Sequence, residues 1–172
     1  LHPHTRILAD AKTPDVGALE AKVIFGAGAD MMTVMASAAL ATVRFALEEA
    51  QKQGNKTILC DLTAVPDAVA RGKQLRKVGL EWVVLHRGID EERAGKPRTP
   101  AYFSDLDNLA ALGLKVAVAG GVSLDTLESY VSHPVSILVI GRAITAAPDP
   151  ATAAKALQAR IKALWASAIG MS

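Results

Sequence analysis

Aromatic residues are scarce in this sequence, which contains two Trp, two Tyr and three Phe among 172 residues. The charge is nearly balanced, at +2, and the basic residues are scattered among acidic ones. Proteins that bind single-stranded nucleic acid stack bases on aromatic rings, and those that bind duplexes concentrate positive charge on one face. The sequence therefore predicts that nucleic acid is not a partner.

Cysteine and long apolar runs are scarce as well. Cys60 is the only cysteine, so an internal disulfide cannot form, which suits a reducing compartment. No apolar run reaches the roughly 20 residues needed to cross a bilayer, and the first residues do not show the basic and then apolar pattern of an export signal. These features predict a cytoplasmic protein that is not associated with a membrane.

Hydrophobic residues make up 51% of the sequence, which is enough for one substantial core, and the length favours a single domain over residues 1–172. Short apolar runs that read as strands start near residues 6, 31, 56, 82, 115 and 136, and amphipathic segments that read as helices separate them. Strands that alternate with helices form parallel sheets through right-handed crossovers. The fold is therefore either a closed barrel or an open doubly wound sheet.

Individual elements can be predicted from these patterns. The predicted strands include Met31–Met35, Thr57–Asp61, Trp82–His86, Lys115–Ala119 and residues 137–140. Predicted helices span residues 17–28, 38–53, 68–78, 103–112 and 150–165, and Ser123 can cap one more. Residues 87–100 have no clear apolar period, and our hypothesis is that this long segment closes over a substrate.

Charged residues and glycines stand at the carboxyl ends of the predicted strands. Asp10, Asp61 and His86 end three of them, and Gly120-Gly121 and Gly141-Arg142 follow the last two. A closed barrel brings all these ends together over one site, whereas an open sheet would hold the outer ones too far apart to cooperate. This distribution favours the barrel.

The glycines after the last two strands predict a phosphate site. Barrels commonly hold phosphate after strands seven and eight, on backbone N–H groups and on a side chain such as Arg142. If these are strands seven and eight, the first visible strand is the third, and the start on Leu1 rather than methionine agrees with that. The prediction is an α/β fold of the (βα)8 TIM-barrel type, with six βα units in this chain.

The first strand ends in the pattern Asp10-x-Lys12-x-x-Asp15. Asp10 and Lys12 are two residues apart and so point the same way from an extended backbone. Pro14 ends the strand and leaves Asp15 in the loop or first helical turn that follows. By itself, such a pattern is typical of a surface ion pair.

Several motifs together resemble the orotidine-phosphate decarboxylase-like family. They are Asp10-x-Lys12-x-x-Asp15, His86, Ala119-Gly120-Gly121 and Gly141-Arg142, and they are similar to the branch of 3-hexulose-6-phosphate synthases and 3-keto-L-gulonate-6-phosphate decarboxylases. The resemblance implies a (βα)8 barrel, usually a homodimer with a shared active site, that binds a sugar phosphate and one Mg²⁺. It also implies a carbon–carbon lyase that acts through an enediolate of a ketopentose phosphate.

The resemblance further implies roles for single residues. Asp10 would bind Mg²⁺, Lys12 would neutralise the developing oxyanion, and Asp15 would reach into the neighbouring subunit's site. Mg²⁺ prefers oxygen ligands and an ammonium adds fixed positive charge, so these residue types suit the roles. Asp61 joins the catalytic set, and His86 is the expected proton carrier, with a structural hydrogen bond as the alternative. The expected phosphate-binding residues are Ala119, Gly120, Gly121, Gly141 and Arg142.

Two groups of positions give opposite indications about the reaction. Asp61, Ile89 and Ala119 stand where decarboxylases of this branch typically have Glu, Arg and Thr, which resembles the synthase pattern. Thr63, Arg87 and Arg142 resemble the decarboxylases instead. We predict the synthase, which joins ribulose 5-phosphate to formaldehyde. The alternatives are the decarboxylase and a non-catalytic phosphate-binding remnant.

One residue of the family pattern has no counterpart in this sequence. The family has a metal-binding glutamate at the end of barrel strand two, a strand for which this sequence has no match, so Mg²⁺ would have fewer protein ligands. Six units also leave two strand edges unpaired, which predicts instability or self-association of a chain of this length. Either the sequence is part of a longer polypeptide or another segment closes the gap.

Overall fold

The computed structural model describes residues 5–95 and 98–168. Within these residues the strands are β1 (Leu8–Thr13), β2 (Met31–Met35), β3 (Thr57–Asp61), β4 (Trp82–His86), β5 (Lys115–Ala119) and β6 (Val135–Leu138). The helices are α1 (Gly17–Gly26), α2 (Leu40–Lys52), α3 (Ala68–Lys77), α4 (Ile89–Arg93), α5 (Pro100–Ala111), α6 (Arg142–Thr145) and α7 (Pro150–Ala168), with a 3₁₀ turn at Leu127–Tyr130.

The six strands form one parallel sheet in the order β1-β2-β3-β4-β5-β6. A doubly wound sheet reverses its strand order at a switch point, and this sheet has no reversal. The barrel-type prediction is therefore confirmed. In the part of the chain that the structure describes, β1 and β6 remain unpaired edges, so the sheet holds six of a barrel's eight units and does not close.

Side-chain alternation along the strands separates two apolar layers. One layer packs between sheet and helices and includes Met32, Cys60 and Val83, while Met31, Leu59, Val84, Ala117 and Ala119 form a second layer on the opposite face of the sheet. That second face is the inner face of the incomplete barrel. Positions two residues beyond the inner-layer residues share their face, so the inner face continues toward the carboxyl ends of the strands through Asp10, Thr33, Asp61 and His86.

Helices α1 and α2 pack closely because Gly17 has no side chain. A Cβ atom at this position would lie 2.3 Å from the carbonyl oxygen of Thr42 in α2. The outer surface of the pair includes exposed apolar side chains, since Leu19, Val23 and Phe45 are 61%, 64% and 45% exposed. No described helix is both long and apolar enough to cross a membrane.

The structure differs from the sequence predictions in several details. Ser123 does not cap a regular helix: its backbone N–H donates to Thr126 Oγ1 at 2.9 Å, and only the short 3₁₀ turn follows. Strand β6 starts two residues earlier than predicted. The segment 87–100 contains α4, whose first turn carries Asp90, Glu91 and Glu92, and acidic residues stabilise that end of a helix.

Candidate active site

A cavity of about 630 Å³ lies at the carboxyl ends of the strands. Nine of the ten predicted site residues line it, namely Asp10, Lys12, Asp61, His86, Ala119, Gly120, Gly121, Gly141 and Arg142. Asp15 is the exception: it is exposed, just before α1, and is not among the cavity residues. Thr33, Ile89 and Glu92 also line the cavity. The cavity thus draws on both ends of the sheet, which a curved barrel wall allows.

Lys12 lies between two carboxylates. Its Nζ donates a hydrogen bond to Asp10 Oδ2 and lies 3.4 Å from Asp61 Oδ2. Burial lowers the pKa of Lys12, but the hydrogen bond from Lys12 to Asp10 and the charges of Asp61 and Asp10 outweigh this and raise it overall. Lys12 therefore remains an ammonium ion at neutral pH.

Thr33 determines how the end of β1 presents these groups. The β1–β2 register shifts between Ala9 and Thr13, and Lys12 has a positive φ of 48°. The Lys12 N–H donates to Thr33 Oγ1 at 2.9 Å, and that hydroxyl donates in turn to Asp10 Oδ1, also at 2.9 Å. Thr33 thus orients both residues, although nothing in the run Met31–Met35 distinguished it from core.

Asp61 is buried and fully partnered. Its Oδ1 accepts hydrogen bonds from the Thr63 hydroxyl at 2.6 Å and the Thr63 N–H at 2.9 Å, and its Oδ2 lies 2.9 Å from His86 Nδ1. Burial alone would raise the pKa of Asp61, but the hydrogen bonds from His86 and Thr63 outweigh burial and lower it to about 2. An ionised carboxylate only accepts hydrogen bonds, so Nδ1 of His86 is the donor in this contact and Nε2 takes no part in it.

The loops after β5 and β6 form the other side of the cavity. Gly120 and Gly121 have φ values of +88° and +63°, and a Cβ at Gly120 would lie 2.0 Å from the carbonyl oxygen of Arg87. Only glycine fits such a position without strain. Arg142 opens the short helix α6, and its Nη2 donates to Glu92 Oε2 at 3.0 Å. Sequence reasoning missed Glu92.

The oxygen donors near Lys12 suit a hard cation. In the described residues, no three Asp, Glu, His or Cys side chains form a group that could hold a metal ion. The Asp10 side chain is 59% exposed, however. Lys12 lies between this carboxylate and a second one, that of Asp61. Mg²⁺ is commonly held by one or two carboxylates together with water and substrate oxygens. The residues present fit a site of that type.

A parallel barrel-type sheet with a charged cavity at the carboxyl ends of its strands is the architecture of a βα-barrel enzyme. The model of the "Orotidine 5'-phosphate decarboxylase / HUMPS family" matches residues 1–157. The chain belongs to this family, and the predicted resemblance is confirmed.

Both activities of the predicted branch occur among the relatives. A 3-hexulose-6-phosphate synthase from Mycobacterium gastri is 39% identical over 93% of this chain and 75% of its own length. A 3-keto-L-gulonate-6-phosphate decarboxylase from Salmonella typhi is 34% identical, over 96% and 76%. A crystal structure of the decarboxylase from Streptococcus mutans has a TM-score of 0.90 at 30% identity, over 95% and 76%. The protein is thus a carbon–carbon lyase of this branch that spans about three quarters of its relatives' length.

Proposed function

We propose that this protein joins formaldehyde to ribulose 5-phosphate, the reaction of a 3-hexulose-6-phosphate synthase. The observation that carries the proposal is Ile89, which lines the cavity at the start of α4. Decarboxylases of the branch typically have an arginine at this position, which can position the water that donates a proton after CO₂ is lost. An isoleucine supplies no such cation, and its apolar surface suits a small aldehyde.

The residues around Asp61 can carry the proton transfers of this reaction. His86 Nε2 takes a proton from the carbon beside the ketone carbonyl, and the electron pair moves onto the carbonyl oxygen to give an enediolate. Lys12 stabilises the negative charge that develops on that oxygen. The enediolate carbon then bonds to the formaldehyde carbon, and the formaldehyde oxygen takes the proton back.

Asp10 is the proposed ligand of Mg²⁺, because its carboxylate is exposed to the cavity and held by Thr33. When bound there, Mg²⁺ supplies Lewis acidity to the substrate oxygens. Lys12 and Thr33 orient Asp10 for this role. The substrate's phosphate is assigned to the opposite wall, which consists of Ala119, Gly120, Gly121, Gly141 and Arg142.

A homodimer is the second part of the proposal. The apolar surface of α1 and α2 runs from Val16, which is 54% exposed, to Leu19 and Val23. Exposed apolar surface of this kind is typical of an interface. Asp15 precedes Val16 at the edge of that surface and is outside its own cavity. This arrangement suits an Asp15 that acts in the partner's site.

The direct test is to incubate the purified protein with ribulose 5-phosphate, formaldehyde and Mg²⁺ and to measure hexulose phosphate. We expect product well above that of a Lys12→Ala variant. Equal product from the two proteins would contradict the proposal.

The decarboxylase reaction is the second candidate, and two observations favour it. Arg142 lines the cavity where synthases commonly have a small residue, and Thr63 binds Asp61. If the protein is a decarboxylase, kcat/KM for release of CO₂ from 3-keto-L-gulonate 6-phosphate will be higher than kcat/KM for the formaldehyde reaction. Binding of sugar phosphate with turnover of neither substrate would instead support the phosphate-binding remnant.

A further inference from the structure

Arg142 has an acidic partner from the chain itself. Its Nη2 lies 3.0 Å from Glu92 Oε2, across 50 residues of sequence. Both side chains line the cavity. The residue expected to bind the substrate's phosphate is therefore already paired with a carboxylate.

The Glu92 carboxylate also lies against the glycine loop after β5. A Cβ built on Gly121 would be 2.9 Å from Glu92 Oε2 and 3.1 Å from Arg98 Nη2. Arg98 itself donates to the carbonyl oxygen of Gly120. The carboxylate thus occupies the space beside the loop, with guanidinium groups of Arg142 and Arg98 close by.

Carboxylate and phosphate are chemically similar ligands for this environment. Both are anions whose oxygens accept paired hydrogen bonds from a guanidinium. A phosphate group cannot take the same space beside Gly121 while Glu92 is there. One anion must leave before the other binds.

We propose that Glu92 is an internal competitor of phosphate, which occupies the phosphate position in the free protein and is replaced on Arg142 when a phosphate monoester binds. The proposal rests on the assignment of this loop to phosphate under the proposed function. Helix α4, which carries Glu92, is five residues long and has no buried residue. Its displacement therefore exposes little core.

Inorganic phosphate is the probe for the test, because its binding does not depend on turnover. Its dissociation constant should be measured by calorimetry for wild type, Glu92→Gln and the matched control Asp90→Asn. Asp90 is on the same helix and carries the same charge, but it is exposed and does not line the cavity. We expect Glu92→Gln to bind phosphate about two- to fivefold more tightly, which is the range that loss of a partly exposed ion pair gives.

The Arg142→Gln background separates competition from a general charge effect. There, Glu92→Gln should no longer improve binding, because the competition takes place on Arg142. Equal affinity of wild type and Glu92→Gln, or an equal gain in Asp90→Asn, would overturn the Glu92 proposal and leave the phosphate site standing. Absence of phosphate binding in every variant would overturn the phosphate site and the Glu92 proposal with it.

Discussion

Asp61 Oδ2 lies 2.9 Å from Nδ1 of His86, at the ends of neighbouring parallel strands. Thr63 fixes the position of Asp61, because its N–H and its hydroxyl both donate to Oδ1, the other carboxylate oxygen. Asp61 is almost inaccessible to solvent while His86 lines the cavity. We therefore expect the carboxylate to act on the proposed reaction through the imidazole.

Asp61→Asn should lower kcat by about 10²-fold or more, since His86 would no longer be held in the form that leaves Nε2 free. The measurement is kcat as a function of pH. Asp107→Asn is the matched control, because Asp107 Oδ1 makes a similar 2.8 Å contact with His133 Nδ1 on the surface. Comparable losses in the two variants would rule out the role given to Asp61.

The low pKa of Asp61 also predicts a pH dependence of stability. The ordinary pKa is 3.8 and the folded value is about 2, so ionised Asp61 stabilises the fold fully above about pH 4 and this contribution is lost as the pH falls toward 2. The free energy of unfolding of wild type, relative to Asp61→Asn, should drop by about 2 kcal/mol between pH 6 and pH 2. Urea titrations at several pH values measure it.

Thr63→Val is the companion variant for this measurement. It removes one hydrogen bond to Asp61 without changing the size of the side chain. The drop in the free energy of unfolding between pH 6 and pH 2, relative to Asp61→Asn, should therefore be smaller in this variant than in wild type. A difference between wild type and Asp61→Asn that does not change with pH would mean that the folded pKa of Asp61 is close to its ordinary value.

Mixing two inactive variants tests the shared site. Lys12→Ala and Asp15→Ala should each be nearly inactive, while an exchanged mixture should regain about a quarter of wild-type activity, because half of the dimers would contain one intact site. The assay is turnover after subunit exchange, with light scattering to establish the dimer. No recovery in a mixture that forms mixed dimers would mean that Asp15 does not act across the interface.

The strand positions in this protein are determined by local sequence patterns. Strands β2 to β5 were predicted with correct ends because each is a short apolar run with a polar residue or glycine within two residues of each end, as in Trp82–His86. The strand ends therefore depend on short stretches of chain. The choice of a barrel followed from the charged residues and glycines that stand at these ends, from Asp10 to Arg142.

Two of the parts that were missed depend on contacts between distant residues. Glu92 pairs with Arg142 across 50 residues, and Thr33 reaches back to Asp10 across 23, and neither pairing leaves a periodic signal. The predicted helix after Ser123 failed because the Thr126 hydroxyl binds the Ser123 N–H and Gly121 carbonyl, which favours a tight turn.

Ile89→Arg should shift the reaction toward decarboxylation. The added cation would lie at the cavity wall and could order water for protonation, while it removes the apolar surface offered to formaldehyde. We expect kcat/KM for the formaldehyde reaction to fall by about tenfold or more and CO₂ release to rise. Ile89→Met, which keeps an apolar side chain of similar volume, should change neither much, and a similar effect of both variants would contradict this explanation.

Gly120→Ala should destabilise the fold more than Gly28→Ala. Both glycines have positive φ, at +88° and +101°, but only Gly120 has a neighbour in the way, the Arg87 carbonyl, while Gly28 faces open space. Backbone strain costs each variant about 1–2 kcal/mol, and the clash should add about 2 kcal/mol for Gly120. Urea midpoints give both values. Equal losses of stability in the two variants would mean that the loop after β5 moves away from the Arg87 carbonyl without a cost in free energy.

The order of the strands, with β1 and β6 at the two edges of the described sheet, has a mechanical consequence for the cavity. Asp10 belongs to β1 and Arg142 follows β6, so five strand pairings connect the proposed metal ligand with the proposed phosphate ligand. In the described residues no hydrogen bond joins these edges directly. The distance between the two ligands therefore depends on all five pairings, because a small rotation at each pairing adds to the next. Substitutions on the outer face of β3 or β4, far from any ligand, should thus alter the length of substrate that the cavity accepts.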